Sequence, residues 1–370
     1  MSWQVPLTDV KVPEEDVQAV LDTYRSGWLT MGPRIQEFEA AFAAHCTAQH
    51  AVSVSSGTAA LHLAMLALGV GPGDEVIVPD LTFVAGAAAA RYCGADVVLC
   101  DIHGPYDFNL DPEDVAARIT PRTKAILAVH FMGYPADLEA LRGLGPVVIE
   151  DAAQAVAARG ADGRPIGADS VAACFSFFSK KQLCVGEGGA VTTNDPEVER
   201  KVRSLRSHAM ASVTWDRHRG HAESYDIVDI GFNFRMDEPR AALGLARLPR
   251  LDADIASRRA QVRMYRERLA GIPGVEIPWT DDDVERSSHF CFPVLLPDEP
   301  ARDHFREQLA ADGIQTTWYP AITTFSEYSD HGSRPRAEEV AGRHTALPLA
   351  SSFGEREVEL VVAAVRRAVG

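Results

Sequence analysis

Lys181 stands in a segment whose composition is unusual around a lysine. Aromatic residues dominate positions 175–178, and three glycines follow within 186–189. Most lysines are solvated surface residues with polar neighbours. A desolvated lysine has a lowered pKa, and its neutral amine can attack a carbonyl carbon to form a Schiff base. The segment therefore predicts a reactive lysine.

A carboxylate thirty residues upstream is the second candidate group. Residues 146–151 form an apolar run that ends in two acids, and such a run is typical of a buried strand in a parallel sheet. Asp151 falls at the carboxyl end of this strand, where ligands bind in open α/β sheets, and Gln154 follows three residues later. The alternative is that Asp151 only caps a following helix.

A possible phosphate cradle is the third group. Residues 51–54 predict a strand, and the Ala- and Leu-rich segment after position 57 has helical spacing. The backbone N–H groups of Gly57, Thr58 and Ala59 would then lie at a helix start, where the helix dipole favours an anion. Pyridoxal phosphate (PLP) requires a lysine for its aldehyde, a carboxylate for its pyridinium nitrogen and a phosphate cradle. The chain has a candidate for each.

These segments and several others resemble, in the same order, the DegT/DnrJ/EryC1/StrS family. Its members are fold-type I PLP enzymes that aminate nucleotide-activated keto sugars and related cyclitols. The resemblance covers nearly the whole chain. The segments that carry it are 27–33, 56–61, 71–79, 120–126, 130–137, 150–155, 175–183, 186–191 and 231–236.

The resemblance implies roles for the residues around the cofactor ring. Lys181 would carry PLP through a Schiff base and later move a proton between the substrate carbon and the cofactor. Asp151 would pair with the pyridinium nitrogen and make the ring an electron sink. Gln154 would contact the ring hydroxyl, and Phe83 would stack on the ring face.

The resemblance also implies how the cofactor phosphate is held. Gly57, Thr58 and Ser176 would bind it, with a contribution from the backbone of Ala59. Asn233 would reach the phosphate from a partner subunit, so the site would require a homodimer.

Lys180 makes the assignment of the reactive lysine ambiguous, because two adjacent lysines cannot both face a cofactor. The spacing from Ser176 favours Lys181. Lys180 is then either solvated or close enough to lower the pKa of its neighbour. The chain also has Val156 and Gln182 where the family usually has a histidine and an asparagine, changes that leave the essential groups intact and can alter the substrate side.

Positive charge is concentrated in residues 201–219, and residues 208–224 have no clean periodicity. The second segment is therefore predicted to be a long loop, part of which would meet a diphosphate. No histidine is paired with a carboxylate at a metal-ligand spacing, so no metal is predicted. The residues predicted to contact the substrate are Arg235, Arg219, His208 and Tyr319.

The composition is that of a water-soluble enzyme. The net charge of −16 and the lack of a dominant basic stripe argue against nucleic acid as a partner. No apolar run approaches ~18 residues and the N-terminus has no signal-like segment, so neither a membrane span nor secretion is expected. The six cysteines have no metal or redox spacing, which favours a cytoplasmic protein with reduced thiols.

Periodicity predicts an α/β fold. From about residue 34 to 245, apolar runs alternate with helical segments, as in a mostly parallel sheet with helices on both faces. After Leu251 the pattern changes to a charged helix, short strands and a terminal helix from Glu355. We expect a large PLP-binding domain over 1–248 and a smaller C-terminal α+β domain over 249–370. The acidic run 281–283 predicts a solvated turn.

The predicted function is a PLP-dependent aminotransferase. It would move an amino group from glutamate or glutamine to a nucleotide-linked keto sugar in amino-sugar or antibiotic biosynthesis. The alternatives are a keto-cyclitol aminotransferase and a sugar dehydratase that uses the amine form of the cofactor. Dehydratases of this fold carry histidine at the Schiff-base position, so Lys181 counts against that alternative. A PLP-binding regulator is the non-enzymatic alternative, and the complete set of candidate groups counts against it.

Overall fold

The computed structural model describes residues 3–210 and 226–370. Strands and helices alternate through most of the chain. The strands within these residues are β1 (His50–Val54), β2 (Glu75–Pro79), β3 (Asp96–Cys100), β4 (Ile102–Gly104), β5 (Asp107–Leu110), β6 (Thr123–Val129), β7 (Val147–Asp151), β8 (Ala173–Ser176), β9 (Gly189–Thr193), β10 (Phe292–Leu295) and β11 (His344–Leu347).

The α-helices of the same residues range from 5 to 19 residues in length. They are α1 (Glu14–Ser26), α2 (Pro33–Cys46), α3 (Gly57–Ala67), α4 (Ala85–Tyr92), α5 (Pro112–Arg118), α6 (Leu138–Arg142), α7 (Pro196–Leu205), α8 (Glu238–Arg247), α9 (Leu251–Leu269), α10 (Asp281–Arg286), α11 (Glu299–Ala311), α12 (Pro335–Arg343) and α13 (Glu355–Val369). Short 3-10 turns cover Phe131–Gly133, Leu248–Arg250, Ile322–Thr324 and Ser329–His331.

A seven-stranded sheet forms the centre of the molecule. Its strand order is β1-β9-β8-β7-β6-β2-β3, and β9 runs antiparallel to both of its neighbours while the other pairs are parallel. This confirms the predicted mostly parallel sheet. Because six of the strands point the same way, their carboxyl ends meet at one edge, where side chains from distant parts of the sequence come together.

Aspartate and proline start several of the helices. Asp111 precedes Pro112 at the start of α5, and its carboxylate accepts the backbone N–H of Glu113 at 3.0 Å. Asp195 does the same for Glu197 at the start of α7, at 2.8 Å. An aspartate at this position satisfies an N–H group that the helix itself cannot pair, and proline is tolerated in the first turn because it lacks such a group.

The acidic run 281–283 is a helix start and not the solvated turn that the sequence predicts. The hydroxyl of Thr280 accepts the N–H of Asp283 at 3.3 Å, and the carboxylate of Asp283 accepts the N–H of Thr280 at 2.9 Å. This reciprocal capping begins α10. Acidic residues are also favoured in a first turn by the helix dipole, so the correct signal was present in the sequence.

A second core lies in the C-terminal part of the chain. It consists of the antiparallel pair β10–β11 with helices α9, α11 and α13, and its largest buried side chains include Phe292 and Phe305. The N-terminal Val5 is fully buried in the same core. Among the described helices, none has both the length and the apolar character that a membrane crossing requires.

Candidate active site

A cavity of about 340 Å³ opens at the carboxyl edge of the central sheet. Val129 ends β6, Asp151 ends β7 and Ser176 ends β8, and all three line it. The start of α3 closes the side next to β8. The lining residues are Ser56, Gly57, Thr58, Leu61, Thr82, Phe83, Ala85, Val129, Asp151, Ala153, Gln154, Ser176, Phe178, Lys180, Lys181, Glu187, Phe290 and Tyr319.

Lys181 projects into this cavity from a tight loop after β8. Its backbone N–H donates to the carbonyl of Phe178 at 2.8 Å, and its Nζ lies 4.3 Å from the centroid of the Phe290 ring. Burial lowers the pKa of Lys181 to about 8, although the nearby carboxylate of Asp151 acts in the opposite direction. At neutral pH a usable fraction of this amine is therefore unprotonated, as a nucleophile toward carbonyls requires.

Lys180 also lines the cavity, but its side chain is exposed. Burial is the cause of the lowered pKa of Lys181, and Lys180 is not among the charges that contribute to it. The two adjacent lysines thus differ in environment, one desolvated and one solvated. This agrees with the first of the two interpretations that the sequence leaves open for Lys180.

Asp151 lies at the floor of the cavity and is only 7% exposed. One of its oxygens accepts the backbone N–H of Ala153 at 3.0 Å. Burial raises the pKa of Asp151, and the Ala153 bond and the charges of Lys181 and His130 offset this only in part. The following residues, 152–158, form turns and no helix, so Asp151 is not a helix cap.

The start of α3 provides backbone donors at the cavity wall. Ser56 caps the helix, and its hydroxyl accepts the N–H of Ala59 at 3.1 Å. The Ala59 N–H, which the sequence predicts to face an anion, is therefore already paired. Within the described residues, the N–H groups of Gly57 and Thr58 have no acceptor. These two groups remain available for a ligand.

Gly57 also allows this helix start to approach β8 closely. A Cβ atom at position 57 would lie 2.9 Å from the Cβ of Ser176, which is closer than real side chains come. The Ser176 hydroxyl accepts the N–H of Phe178 at 3.3 Å and can still donate its proton. Two backbone N–H groups and one hydroxyl thus converge at the positive end of the α3 dipole, a suitable place for a phosphate.

Gln154 and Tyr319 form the wall next to Asp151. The Gln154 Oε1 accepts the backbone N–H of Met132 at 2.7 Å, and both Gln154 and Tyr319 line the cavity. Burial raises the pKa of Tyr319, whose ring packs edge-on against Phe131 with centroids 5.2 Å apart. Phe83 contributes an aromatic ring that is 58% exposed at the cavity opening.

Gln182 and Ser288 support this wall from behind. The sequence marks Gln182 only as a departure from the family that can alter the substrate side, and sequence reasoning missed Ser288. The Gln182 Nε2 donates to the backbone carbonyl of Gln154 at 2.8 Å and to the Ser288 hydroxyl at 2.9 Å. Ser288 leads into Phe290, the residue that covers Lys181. These contacts join positions up to 106 residues apart, and no local pattern in the sequence predicts such a contact.

Several predicted residues lie away from the cavity. Arg235 is half-buried and donates to the Ser207 hydroxyl at 3.2 Å, and neither it nor His208 lines the cavity. The diphosphate contact expected through these two residues stays a prediction. Asn233 is exposed and pairs with Ser207 in an antiparallel bridge. Arg219 and most of the predicted 208–224 loop lie outside the described residues.

The described residues contain no group of three or more His, Cys, Asp or Glu side chains placed to hold a metal ion. The chemistry of the cavity is instead that of an amine and a carboxylate. A partly neutral Lys181, a buried Asp151 and unpaired backbone donors face a common space. Such a set can attack a carbonyl carbon, stabilise a positive charge opposite it and hold an anion.

Comparisons with known proteins agree with this arrangement. A model of the DegT/DnrJ/EryC1/StrS aminotransferase family matches residues 11–366. The dTDP-3-amino-3,4,6-trideoxy-alpha-D-glucose transaminase of Streptomyces venezuelae is 41% identical over 379 residues, which cover 98% of this chain and 96% of the relative. The crystal structure of S. venezuelae DesV in complex with a ketimine intermediate has a TM-score of 0.91 and 38% identity, covering 99% of this chain and 98% of that chain. Spr1654 from Streptococcus pneumoniae, in its PLP form, has a TM-score of 0.90 and 25% identity, covering 100% of this chain and 98% of that chain.

Proposed function

The chain belongs to the DegT/DnrJ/EryC1/StrS aminotransferase family, and we propose that it uses PLP to move an amino group from an amino acid to a nucleotide-linked keto sugar. The observation that carries this proposal is the desolvated Lys181 in the same cavity as the buried Asp151. The names of the similar proteins support the substrate class, since one is a transaminase named for a dTDP-linked amino sugar.

The residues of the cavity fit PLP. Lys181 has the lowered pKa that attachment to an aldehyde needs, and Asp151 is a carboxylate whose pKa is raised by burial, so that a further cationic partner would stabilise its charged form. A protonated ring nitrogen would be such a partner. The N–H groups of Gly57 and Thr58 and the hydroxyl of Ser176 would hold the phosphate. The absence of a Cβ at position 57 is what lets these donors converge.

When bound, PLP supplies a carbonyl carbon for amino groups and a ring that takes up electrons. The protein supplies the proton transfers. Lys181 can accept a proton at Nζ from the carbon that bears the amino group and return it elsewhere, because its pKa of about 8 is close to neutral pH. The Phe290 ring, with its centroid 4.3 Å from Nζ, covers one side of this amine.

Asp151 and Gln154 would fix the ring on its two polar edges. The negative charge of the Asp151 carboxylate would favour the protonated form of the ring nitrogen. Gln154 is oriented by the Met132 N–H, which donates to its Oε1, so its amide NH2 group can donate to a ligand. Phe83 lies at the opening, where it could cover a ring face as predicted.

The active form in this proposal is a homodimer, to which Asn233 of each subunit contributes across the interface. Asn233 is exposed and does not line the cavity of its own subunit. It is preceded by Ile227, Val228 and Ile230, which are 49%, 59% and 84% exposed. Such a run of exposed apolar side chains is typical of a surface that another chain covers.

The division into domains over 1–248 and 249–370 is part of the same proposal. The C-terminal core supports it, since apart from Val5 its buried residues all follow position 261. A cytoplasmic location stays a prediction.

An absorbance assay tests the proposal in two steps. The purified protein is loaded with PLP and mixed with glutamate or glutamine, which should convert the bound cofactor to its amine form. Nucleotide-linked keto sugars are then added, and the one that is the substrate should restore the original spectrum and yield an amino sugar detected by mass spectrometry. Failure of every donor to convert the cofactor would refute the aminotransferase assignment. Conversion without use of any nucleotide keto sugar would refute the substrate class alone.

A further inference from the structure

We propose that Lys180 binds the diphosphate of the nucleotide-linked acceptor at the mouth of the cavity. This inference rests on the proposed function and gives the substrate-binding role to a residue other than Arg235 and His208. Those two residues do not line the cavity, whereas Lys180 does.

The charges around the cavity single out Lys180. Among the lining residues that the structure describes, Lys180 and Lys181 are the cations, and Asp151 and Glu187 are the anions. Lys181 is the desolvated amine of the proposed chemistry. A diphosphate approaching from outside therefore meets one available cation in this wall, and Lys180 is exposed at the position where it would do so.

The loop that carries Lys180 is held in place by backbone hydrogen bonds. The N–H of Phe177 donates to the Gly188 carbonyl, the N–H of Val185 donates to the Phe177 carbonyl, and the N–H of Lys181 donates to the Phe178 carbonyl, each at 2.8 Å. The backbone on both sides of Lys180 is thus held in place next to the reactive lysine, and the Lys180 side chain is exposed. Within the described part of the chain, Lys180 has no ion-pair partner, so its ammonium group is available to a ligand.

The residue type supports a specific role. The chain has five lysines among its 36 basic residues, and arginine takes most other positions. Two of the five are Lys180 and Lys181. Lysine offers a compact charge on a flexible stem, which suits a phosphate that arrives with a mobile substrate.

The size of the cavity places the nucleotide outside it. About 340 Å³ must contain the cofactor ring and the reacting sugar carbon, which leaves no room for a base and ribose as well. The diphosphate, several bonds from the reacting carbon, must then pass the mouth. The cofactor phosphate is the other possible partner of Lys180. We assign the substrate diphosphate because the N–H groups of Gly57 and Thr58 already form a half-buried anion site, while Lys180 is exposed.

Binding measurements on the PLP-loaded protein test the assignment. Thymidine, uridine and guanosine diphosphate are titrated by calorimetry into the wild type, Lys180→Gln, Lys180→Arg and the control Lys124→Gln, an exposed lysine at the other end of the sheet. The nucleoside diphosphate that binds the wild type should bind Lys180→Gln about tenfold more weakly, since a charge-assisted hydrogen bond is lost. Lys180→Arg should recover most of the affinity, and Lys124→Gln should match the wild type.

Kinetic measurements and PLP-binding measurements distinguish a role of Lys180 in substrate binding from a role in cofactor binding and from no role. In Lys180→Gln, the KM for the keto sugar should rise by about the same factor as the dissociation constant of the nucleoside diphosphate, with a smaller change in kcat. The difference in KM between this variant and the wild type should shrink at high salt. If Lys180→Gln loses affinity for PLP and keeps its affinity for nucleoside diphosphates, Lys180 serves the cofactor and the inference is wrong. If both affinities stay unchanged while the wild type aminates a nucleotide keto sugar, Lys180 is merely solvated and only this inference fails. A wild type that binds no nucleoside diphosphate and aminates no nucleotide keto sugar overturns the proposed substrate as well.

Discussion

Two regions of this protein place a cation near a buried carboxylate, and the pKa of the carboxylate shifts in opposite directions in the two regions. Behind β1, Glu39 accepts hydrogen bonds from the Arg206 and Arg203 guanidinium groups and from the Ser53 hydroxyl. Burial alone would raise the pKa of Glu39, but the two arginines outweigh it and the pKa is lowered. In the cavity, burial dominates, so that the pKa of Asp151 is raised and that of Lys181 is lowered.

The comparison separates a structural pair from a site prepared for a ligand. The Glu39 cluster pairs its carboxylate internally with two guanidinium groups and a hydroxyl, although the Arg206 Nε has no hydrogen-bond partner among the described residues. A buried ion pair depends on such hydrogen bonds to offset the cost of desolvation. Asp151 and Lys181 share a cavity without such a network. Perturbed ionisable groups that lack internal partners are a mark of functional sites, because a bound molecule completes them.

The largest expected effect is on chemistry at Lys181. Lys181→Ala should reduce turnover by at least ~10²–10⁴-fold, the range that positioned proton transfer contributes. The stability of the cofactor-free protein should not fall, since the substitution removes a desolvated amine. Turnover and urea denaturation, measured side by side, check both parts. A variant that keeps turnover, or one that unfolds, would contradict the contrast between the two regions.

Breaking the Glu39–Arg206 pair should lower the stability of the protein, the reverse of the result expected for Lys181→Ala. Arg206→Met leaves the Glu39 carboxylate buried with one cation fewer, which should lower the free energy of unfolding by about 3–5 kcal/mol. Urea denaturation measures the loss, and the exposed pair Arg164–Asp162 provides the control, where Arg164→Met should have little effect. An Arg206→Met protein as stable as the wild type would show that the network is not structural.

A third change affects the support behind the cavity wall. Gln182→Leu removes the amide that donates to the Gln154 carbonyl and to the Ser288 hydroxyl. The Gln154 carbonyl keeps the Ser288 hydroxyl as a donor at 3.0 Å, so the wall is loosened by the loss of a buried hydrogen bond of roughly 0.5–1.5 kcal/mol, and kcat should fall by up to about tenfold. Gln182→Asn keeps the amide and should retain part of the rate. The absorbance spectrum of bound PLP is the second measurement, because a shift there indicates a displaced wall and not a general loss of stability.

The smallest expected effect is a shift in the pKa of Lys181 when Asp151 is replaced, which tests the contrast between the cavity and the Glu39 cluster directly. In the cofactor-free protein, modification of Lys181 by an amine-reactive reagent should rise with pH around a midpoint near 8. Asp151→Asn should move this midpoint lower, because the carboxylate favours the charged amine. Peptide mass spectrometry over a pH series gives both values. A midpoint near about 10.4, the ordinary lysine value, would mean that Lys181 is solvated.

The same pKa has a consequence for stability. Its folded value of about 8 lies below the unfolded value, so the folded protein binds fewer protons between the two. The Lys181 contribution to the stability of the cofactor-free protein should therefore become less unfavourable as pH rises through this window.

The parts of the fold and site that could be predicted depend on local signals. The buried strand before Asp151 and the helix start at Gly57 each follow from a short run of residues, and the parallel sheet follows from their alternation. The terminal helix from Glu355 also lies where periodicity predicts it. The wrong prediction at residues 281–283 did not come from a missing local signal. The run of acidic residues was interpreted as a solvated turn, although Thr280 and Asp283 form the capping pattern of a helix start.

The groups at the carboxyl ends of the strands, and the family to which the chain belongs, follow from the residues and motifs alone. Tertiary structure alone decided which distant groups come together: Gln182 with Ser288 behind the cavity wall, and Phe290 over Lys181 within it. The physical reason is that strand ends and helix starts are encoded in neighbouring residues. Burial and charge pairing, by contrast, depend on side chains brought together from segments more than a hundred residues apart.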